Sequence, residues 1–198
     1  MLTRRDPRLA RLVARYGVPP LWARRPGFAT LLRIVLEQQV SLASALAIYR
    51  RLAARVEQVD PANILALGVT GLQAIGLTGQ KASYACGLAE RVLDGKLELR
   101  RLGRYDDGEA REHLIQFRGI GPWTADIYLL MALRRPDIWP PGDLALHKAL
   151  GQLNGGSARV PSSMEAEVLA SCWRPLRAVA ARILWHAYLA ERVPSVRL

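Results

Sequence analysis

Phe117-Arg118-Gly119-Ile120-Gly121-Pro122-Trp123-Thr124 is the stretch on which the fold turns. Helical periodicity ends at about Phe117, two glycines bracket one apolar residue, and Pro122 stands where a new helix would begin. Glycine tolerates positive φ and lets another backbone approach closely. Proline suits the first turn of a helix, where its missing N–H removes no internal bond. The stretch therefore predicts two helices joined through a very tight turn, with Ile120 as a plug into the core. The second helix points unpaired N–H groups out of that turn, which makes a site for an anion such as phosphate. Taken alone, G-x-G before a helix fits a plain packing corner equally well.

Outward from this hairpin the apolar periodicity is helical nearly throughout. Phe28, Leu31, Leu32, Val35 and Leu36 form one face; Leu42, Ala45, Tyr49, Leu52 and Val56 form another, opened by Ser41 as N-cap. Further helices are expected at 81–93, 109–117, 144–153 and 174–191. The segment 124–133 is apolar on almost every face and reads as a buried central helix. Loops are expected at 94–108, 134–142 and 154–163, where glycine, proline and aspartate gather. No strand alternation bounded by hairpin turns is visible. The fold class is all-α, with roughly ten helices.

The chain has 198 residues, 28 Lys+Arg against 17 Asp+Glu, and a net charge of +11. Lysine stands only at 81, 96 and 148, so the positive charge is almost all arginine. Arginine forks onto phosphate with two parallel hydrogen bonds. A compact chain this basic suits nucleic acid, although an arginine-rich solvated surface would show the same excess. Two cysteines, Cys86 and Cys172, exclude a disulfide framework, a protein-held four-cysteine cluster and a Cys-rich zinc site. His113 and His186 lack partners at ligand spacing, so no metal site is expected. The densest apolar run, Ile127 to Leu133, is far short of the ~20 residues a bilayer span needs. The N-terminus carries no secretion signal, and a cytoplasmic location is expected.

Asp143 follows Pro140-Pro141-Gly142 and directly precedes a helix, so it should sit at or near the N-cap. There, backbone N–H groups and the helix dipole favour a charged carboxylate, which suits charge stabilisation rather than proton donation. A simple cap is the plainer reading of the same position. His147, one turn on, is expected to be solvated or capped, and Asp126 to pair with an arginine.

With Asp143 at this distance from the hairpin, the chain resembles the helix-hairpin-helix, Gly/Pro-Asp superfamily of DNA base-excision glycosylases, and most of all its 3-methyladenine DNA glycosylase II branch. The blocks that carry the resemblance are Ile34-Val35-Leu36-Glu37-Gln38-Gln39-Val40-Ser41, Gly76-Leu77-Thr78-Gly79-Gln80-Lys81-Ala82, 117–126 and 137–143. A weaker block is Trp173-Arg174-Pro175-Leu176-Arg177, running into Leu184-Trp185.

The resemblance implies a single glycosylase domain over 1–198. Two helical subdomains would flank a cleft, a central one at 28–140 and a second built from 1–27 with 143–198. It implies a catalytic Asp143 and a monomer that acts on double-stranded DNA containing damaged bases, most directly N-alkylated purines such as 3-methyladenine and 7-methylguanine. Trp123 stands where bifunctional members place a nucleophilic lysine, which implies a monofunctional enzyme. The same ring matches an aromatic of the base pocket, where its π-face would attract a cationic purine. Tyr128, Trp22, Trp139, Trp173 and Trp185 are further candidates for pocket walls. Gln39 is the implied wedge that fills the gap left by a flipped nucleotide, with Gln38 beside it. Arg118, Gly119, Ile120, Gly121 and Thr124 are the implied hairpin contacts to DNA. The resemblance implies no required cofactor; the superfamily's hairpin carbonyls often hold a monovalent cation, and here the corresponding segment is 118–121. The β-rich N-terminal domain of some bacterial relatives is not expected here. Rival readings are a glycosylase for uracil, hypoxanthine or oxidised guanine, a non-catalytic helix-hairpin-helix DNA-binding module, and a basic helical adaptor.

Overall fold

The computed structural model describes residues 2–154 and 159–192, and every regular element among them is helical. In chain order these are α1 (Leu2–Arg5), α2 (Pro7–Tyr16), α3 (Phe28–Glu37), α4 (Leu42–Arg55), α5 (Pro61–Ala74), α6 (Gly79–Leu93), α7 (Asp107–Ile115), α8 (Pro122–Met131), α9 (Leu144–Leu153), α10 (Ser163–Ala170) and α11 (Arg177–Arg192). Short 3-10 turns occupy Arg101–Arg104 and Ser171–Trp173. The chain divides into two compact units, 24–133 and 1–23 with 134–198.

In the unit 24–133, α8 is buried from Thr124 through Leu130, as expected of a helix apolar on every side. α3 packs against it and buries Phe28, Leu31, Leu32, Val35 and Leu36. A buried leucine or isoleucine of this kind stabilises by about 1.5–3 kcal/mol. The segment 24–27 belongs to this unit rather than to the terminal one expected from the sequence. The Arg24 N–H donates to the Met131 carbonyl at 3.0 Å, and its guanidinium donates to both oxygens of Glu37 at 2.9 Å. Arg33 reaches the same carboxylate at 3.2 Å. Gly27 donates its N–H to the Tyr128 hydroxyl at 2.9 Å.

In the other unit, α2 and α9 both pack against α11. The edge of this unit lies at 134, not beyond 140, because the 134–138 segment is tied to α11. Asp137 accepts from Arg177 Nε at 3.0 Å, and Ala178 donates its N–H to the Pro136 carbonyl at 3.0 Å. Burial pushes the Asp137 carboxyl up, but the Arg177 hydrogen bonds and the charges of Arg177 and Arg174 outweigh it, and the net direction is down. Arg182 is buried in α11, donating to the Leu21 carbonyl at 3.0 Å and the Ala178 carbonyl at 3.1 Å.

Three stretches form helices that the periodicity left unassigned: 2–16, 61–74 and 163–170. α5 is interrupted by Gly68, which has φ 62° inside the helix, so its apolar pattern breaks halfway. α10 starts at Ser163, where the expected loop 154–163 ends, and the capping box between Ser162 and Glu165 is its local signal. Residues 155–158 of that loop lie outside the described residues.

Asp6 anchors the N-terminal helices. It caps α2 through the Arg8 N–H at 2.9 Å, and its Oδ2 accepts from Arg8 Nη2 and from the buried Trp173 Nε1, both at 2.7 Å. The Arg8 hydrogen bond, with those of Trp173, holds the Asp6 carboxyl well below the usual carboxylate range. Asp6→Asn is expected to cost about 2 kcal/mol, read as a lower urea midpoint, because an amide has one acceptor oxygen for these donors and no charge for the Arg8 guanidinium. The stabilisation is intact above the unfolded value of about 3.9 and is lost as pH falls through the depressed folded value. The gap between wild type and Asp6→Asn should therefore close in strong acid.

Candidate functional site

In the unit 24–133 the hairpin forms as the sequence predicts. Ile120 is 4% exposed, and its N–H returns to the Phe117 carbonyl at 3.0 Å. Gly121 caps α8 and Pro122 opens it. Gly119 has φ 96°, and a Cβ placed there would lie 2.7 Å from Cγ of Tyr84. The hairpin is thus seated on the Tyr84 ring, over which the exposed Arg118 guanidinium also lies, 5.7 Å from the centroid.

Gln38 fastens a second loop to the hairpin. Its Nε2 donates to the Gly119 carbonyl at 2.8 Å and to the Thr124 hydroxyl at 2.7 Å. Lys81 secures the loop from the other side, donating Nζ to the Leu36 carbonyl at 2.7 Å and the Gln38 carbonyl at 2.8 Å. A cation at the carbonyl end of α3 is favourably placed against the helix dipole, and burial pushes the Lys81 ammonium below its usual range. Between these anchors Gln39 is exposed with φ 54°, flanked by the exposed Val40 and Leu42. Leu42, which falls in the apolar repeat of α4, is turned to solvent at 63% exposure. The result is a short projecting loop with an amide at its tip and apolar shoulders.

Some expected roles change. Thr124 is 1% exposed and occupied by Gln38, so it braces the hairpin and does not reach DNA as a side chain. Ile120 likewise offers only backbone. Tyr128 is fully buried with its hydroxyl on the Gly27 N–H, which makes it a pin within the unit and not a pocket wall. Arg118, Gly121 and Pro122 remain exposed, and Trp123 is half-buried. Asp126 pairs with Arg111: Nη2 donates to Oδ2 at 3.1 Å, while Nε lies 3.1 Å from Oδ1 without hydrogen-bond alignment.

The carbonyls of 118–121 are the donors a monovalent cation would need. Those of Gly119 and Gly121 already accept N–H donors, from Gln38 at 2.8 Å and Ala125 at 3.0 Å, which turn positive hydrogens onto the same oxygens. Each of these oxygens keeps a second lone pair.

In the other unit, Asp143 caps α9. Two donors converge on its Oδ1: the Leu146 N–H at 2.9 Å and the Trp185 indole N–H at 3.1 Å. Asp143 is 9% exposed. Trp22, at φ 47°, meets Trp185 edge-on with centroids 6.5 Å apart and touches His186 at 6.3 Å. Within this unit, Asp143, Trp185 and Trp22 therefore lie together. Trp139 and Trp173 instead pack on each other in the core, 5.8 Å apart, with the Trp173 N–H spent on Asp6. His147 is not solvated as expected: it is 6% exposed and takes the Gly142 N–H on Nε2 at 3.3 Å.

A carboxylate fixed by a cap and an indole cannot swing to follow a substrate; it is a preset negative charge, suited to a cation that develops during reaction. Sequence reasoning missed the indole bond, the Lys81 anchor and the Tyr84 seat. The first joins residues 42 positions apart and has no local signature. The other two lie in or near the block 76–82, where residue order does not show which distant segment they meet.

A family model described as HhH-GPD superfamily base excision DNA repair protein matches residues 32–177. DNA-3-methyladenine glycosylase 1 of Schizosaccharomyces pombe is 27% identical over 195 residues, 96% of this chain and 85% of that one. YfjP of Bacillus subtilis, named for the same activity, is 29% identical over 169 residues, 79% of this chain; the match spans 57% of that relative's length. The solved structure of the Schizosaccharomyces pombe 3-methyladenine DNA glycosylase with abasic DNA superposes with a TM-score of 0.83 at 25% identity, covering 95% of this chain and 91% of that one. A match that runs from α3 to the start of α11, through the hairpin and Asp143 alike, settles the kinship: the chain belongs to the HhH-GPD superfamily of base excision DNA repair proteins.

Proposed function

We propose that the protein is a monofunctional DNA glycosylase that releases N-alkylated purines, of the 3-methyladenine and 7-methylguanine type, from double-stranded DNA. The observation that carries this reading is Asp143, a buried carboxylate held by the α9 cap and the Trp185 indole. Cleaving the N-glycosidic bond heterolytically leaves an oxocarbenium-like sugar, positive at C1′, and a preset carboxylate lowers the cost of that charge and orients the attacking water. An N-alkylated purine already carries positive charge and departs as a neutral base, so no strong proton donor is needed. Trp123 supplies a π-face for such a cationic ring. It also stands where a Schiff-base amine would be needed for strand cleavage, so the sugar–phosphate chain stays intact.

The duplex is held through the exposed face of the hairpin, with the N-terminus of α8 and Arg118 on phosphate. Gln39 enters the base stack as the nucleotide leaves it, replacing part of the few kcal/mol that flipping costs by hydrogen bonding to the orphaned partner. Among the described residues no helix is long and apolar enough to cross a membrane, in keeping with an enzyme that works where the DNA lies.

The test is incubation with alkylated duplex DNA and chromatography of the freed bases. Free 3-methyladenine or 7-methylguanine is expected, with strands that break only after alkali. No base release would remove the enzymatic reading, and strand breaks before alkali would remove its monofunctional part.

A further inference from the structure

His147 lies on α9 one turn after Asp143 and is 6% exposed. The Gly142 N–H donates to its Nε2 at 3.3 Å. A ring nitrogen that accepts a hydrogen bond carries no proton, so the imidazole is neutral with its proton on Nδ1. The ring's other hydrogen bond goes to the backbone of Pro161. One turn further along the same face is Gly151, where a Cβ would lie 2.8 Å from the Arg159 carbonyl oxygen and 3.5 Å from Pro161 Cδ. The 159–161 segment is therefore laid along the face of α9 that carries His147 and Gly151. The imidazole ties that segment to Gly142, whose φ of 83° makes the bend that delivers Asp143 to the helix.

We propose that His147 is a positioning residue for Asp143: as a neutral imidazole it clamps the Gly142 N–H to the Pro161 carbonyl and so fixes the turn that presents the carboxylate. Protonation replaces the acceptor at Nε2 by a second donor, which then opposes the Gly142 N–H, and the bend loosens. Burial pushes the imidazole below its ordinary value, against the pull of the Asp143 charge and the Pro161 bond. Asp143 is the charge that acts on the ring. On the surrounding elements, Arg159 pairs with Glu165, Arg182 bonds the Leu21 and Ala178 carbonyls, and His186 bonds the Tyr16 carbonyl. With a folded value below the unfolded one, the clamp is intact above about pH 6.5 and is lost as pH falls through the folded value.

The proposal rests on the glycosylase reading, and its test separates the two. Base release from methylated duplex DNA is measured from pH 5 to 8 for wild type, His147→Gln and His147→Leu, with spontaneous release subtracted. The leucine variant should lose about 10- to 100-fold in kcat at pH 7.5 with KM unchanged, the scale of a misplaced catalytic group. The glutamine variant, whose amide can accept from Gly142 and donate to Pro161, should recover most of the rate and lack the acid limb that wild type shows below about pH 6.5. The imidazole nitrogen shifts of the ¹⁵N-labelled wild type should show the Nδ1–H tautomer at pH 7.5, a readout independent of activity. Leucine and wild-type proteins with the same kcat and pH profile, or a charged or Nε2–H ring at pH 7.5, would overturn the clamp while leaving the glycosylase reading standing. A wild type that releases no base removes both.

Discussion

Asp143→Asn is expected to leave the protein folded and to lower base release by about 100- to 1,000-fold, the scale seen when a preset electrostatic group is removed from an active site. Asparagine is as good an N-cap as aspartate. Its side-chain oxygen can still accept the Leu146 and Trp185 N–H groups that meet on Oδ1. What disappears is the negative charge, and with it the stabilisation of a cationic sugar. Thermal or urea unfolding should place the variant within about 0.5 kcal/mol of wild type, whereas Asp143→Ala should lose about 1 kcal/mol more through the missing cap. Affinity for undamaged duplex should be unchanged. An asparagine variant that excises methylated bases at the wild-type rate would show that the carboxylate serves α9 alone and that another group stabilises the sugar cation.

Gly119→Ala should be the most damaging small change in the hairpin, at about 3 kcal/mol. A non-glycine residue at φ 96° is strained by about 1–2 kcal/mol, and the new methyl would lie 2.7, 2.9 and 3.0 Å from Cγ, Cβ and Cδ2 of Tyr84. The ring must shift, and with it the seat of Arg118 and the carbonyl that Gln38 grips at 2.8 Å. Duplex affinity should fall at least about tenfold, because the N–H groups at the start of α8 lose their aim. Gly87→Ala in α6 is the matched control. A Cβ there meets nothing within 4 Å, and replacing a helical glycine by alanine should stabilise by up to about 1 kcal/mol. Equal effects from the two substitutions, measured by urea unfolding and by fluorescence titration with a duplex, would mean that the hairpin does not depend on close seating.

The hairpin was legible because each of its parts acts locally. Glycine at a positive φ, proline at the first helical position and an apolar plug between them are constraints on neighbouring atoms, so residue order is enough to read them. The caps at Ser41 and Asp143 were legible for the same reason, since a side chain that accepts an N–H three residues on needs no partner from elsewhere. Assigning Tyr128, Thr124 and Trp173 was harder. An aromatic or hydroxyl on an apolar helix can face a pocket or the core, and only the neighbours that arrive in three dimensions decide. Gly27, Gln38 and Asp6 are those neighbours, lying 101, 86 and 167 positions away.

Residue order by itself determined the helical class, the tight turn, the cap that Asp143 makes and the absence of a lysine at position 123. The tertiary structure alone decided that Oδ1 of Asp143 receives an indole N–H, that Lys81 and Gln38 brace the loop bearing Gln39, and that His147 is sealed between Gly142 and Pro161. The division follows from range. Backbone dihedrals and caps act within one helical turn, whereas burial, and the hydrogen bonds that burial makes obligatory, depend on which distant segment lies alongside.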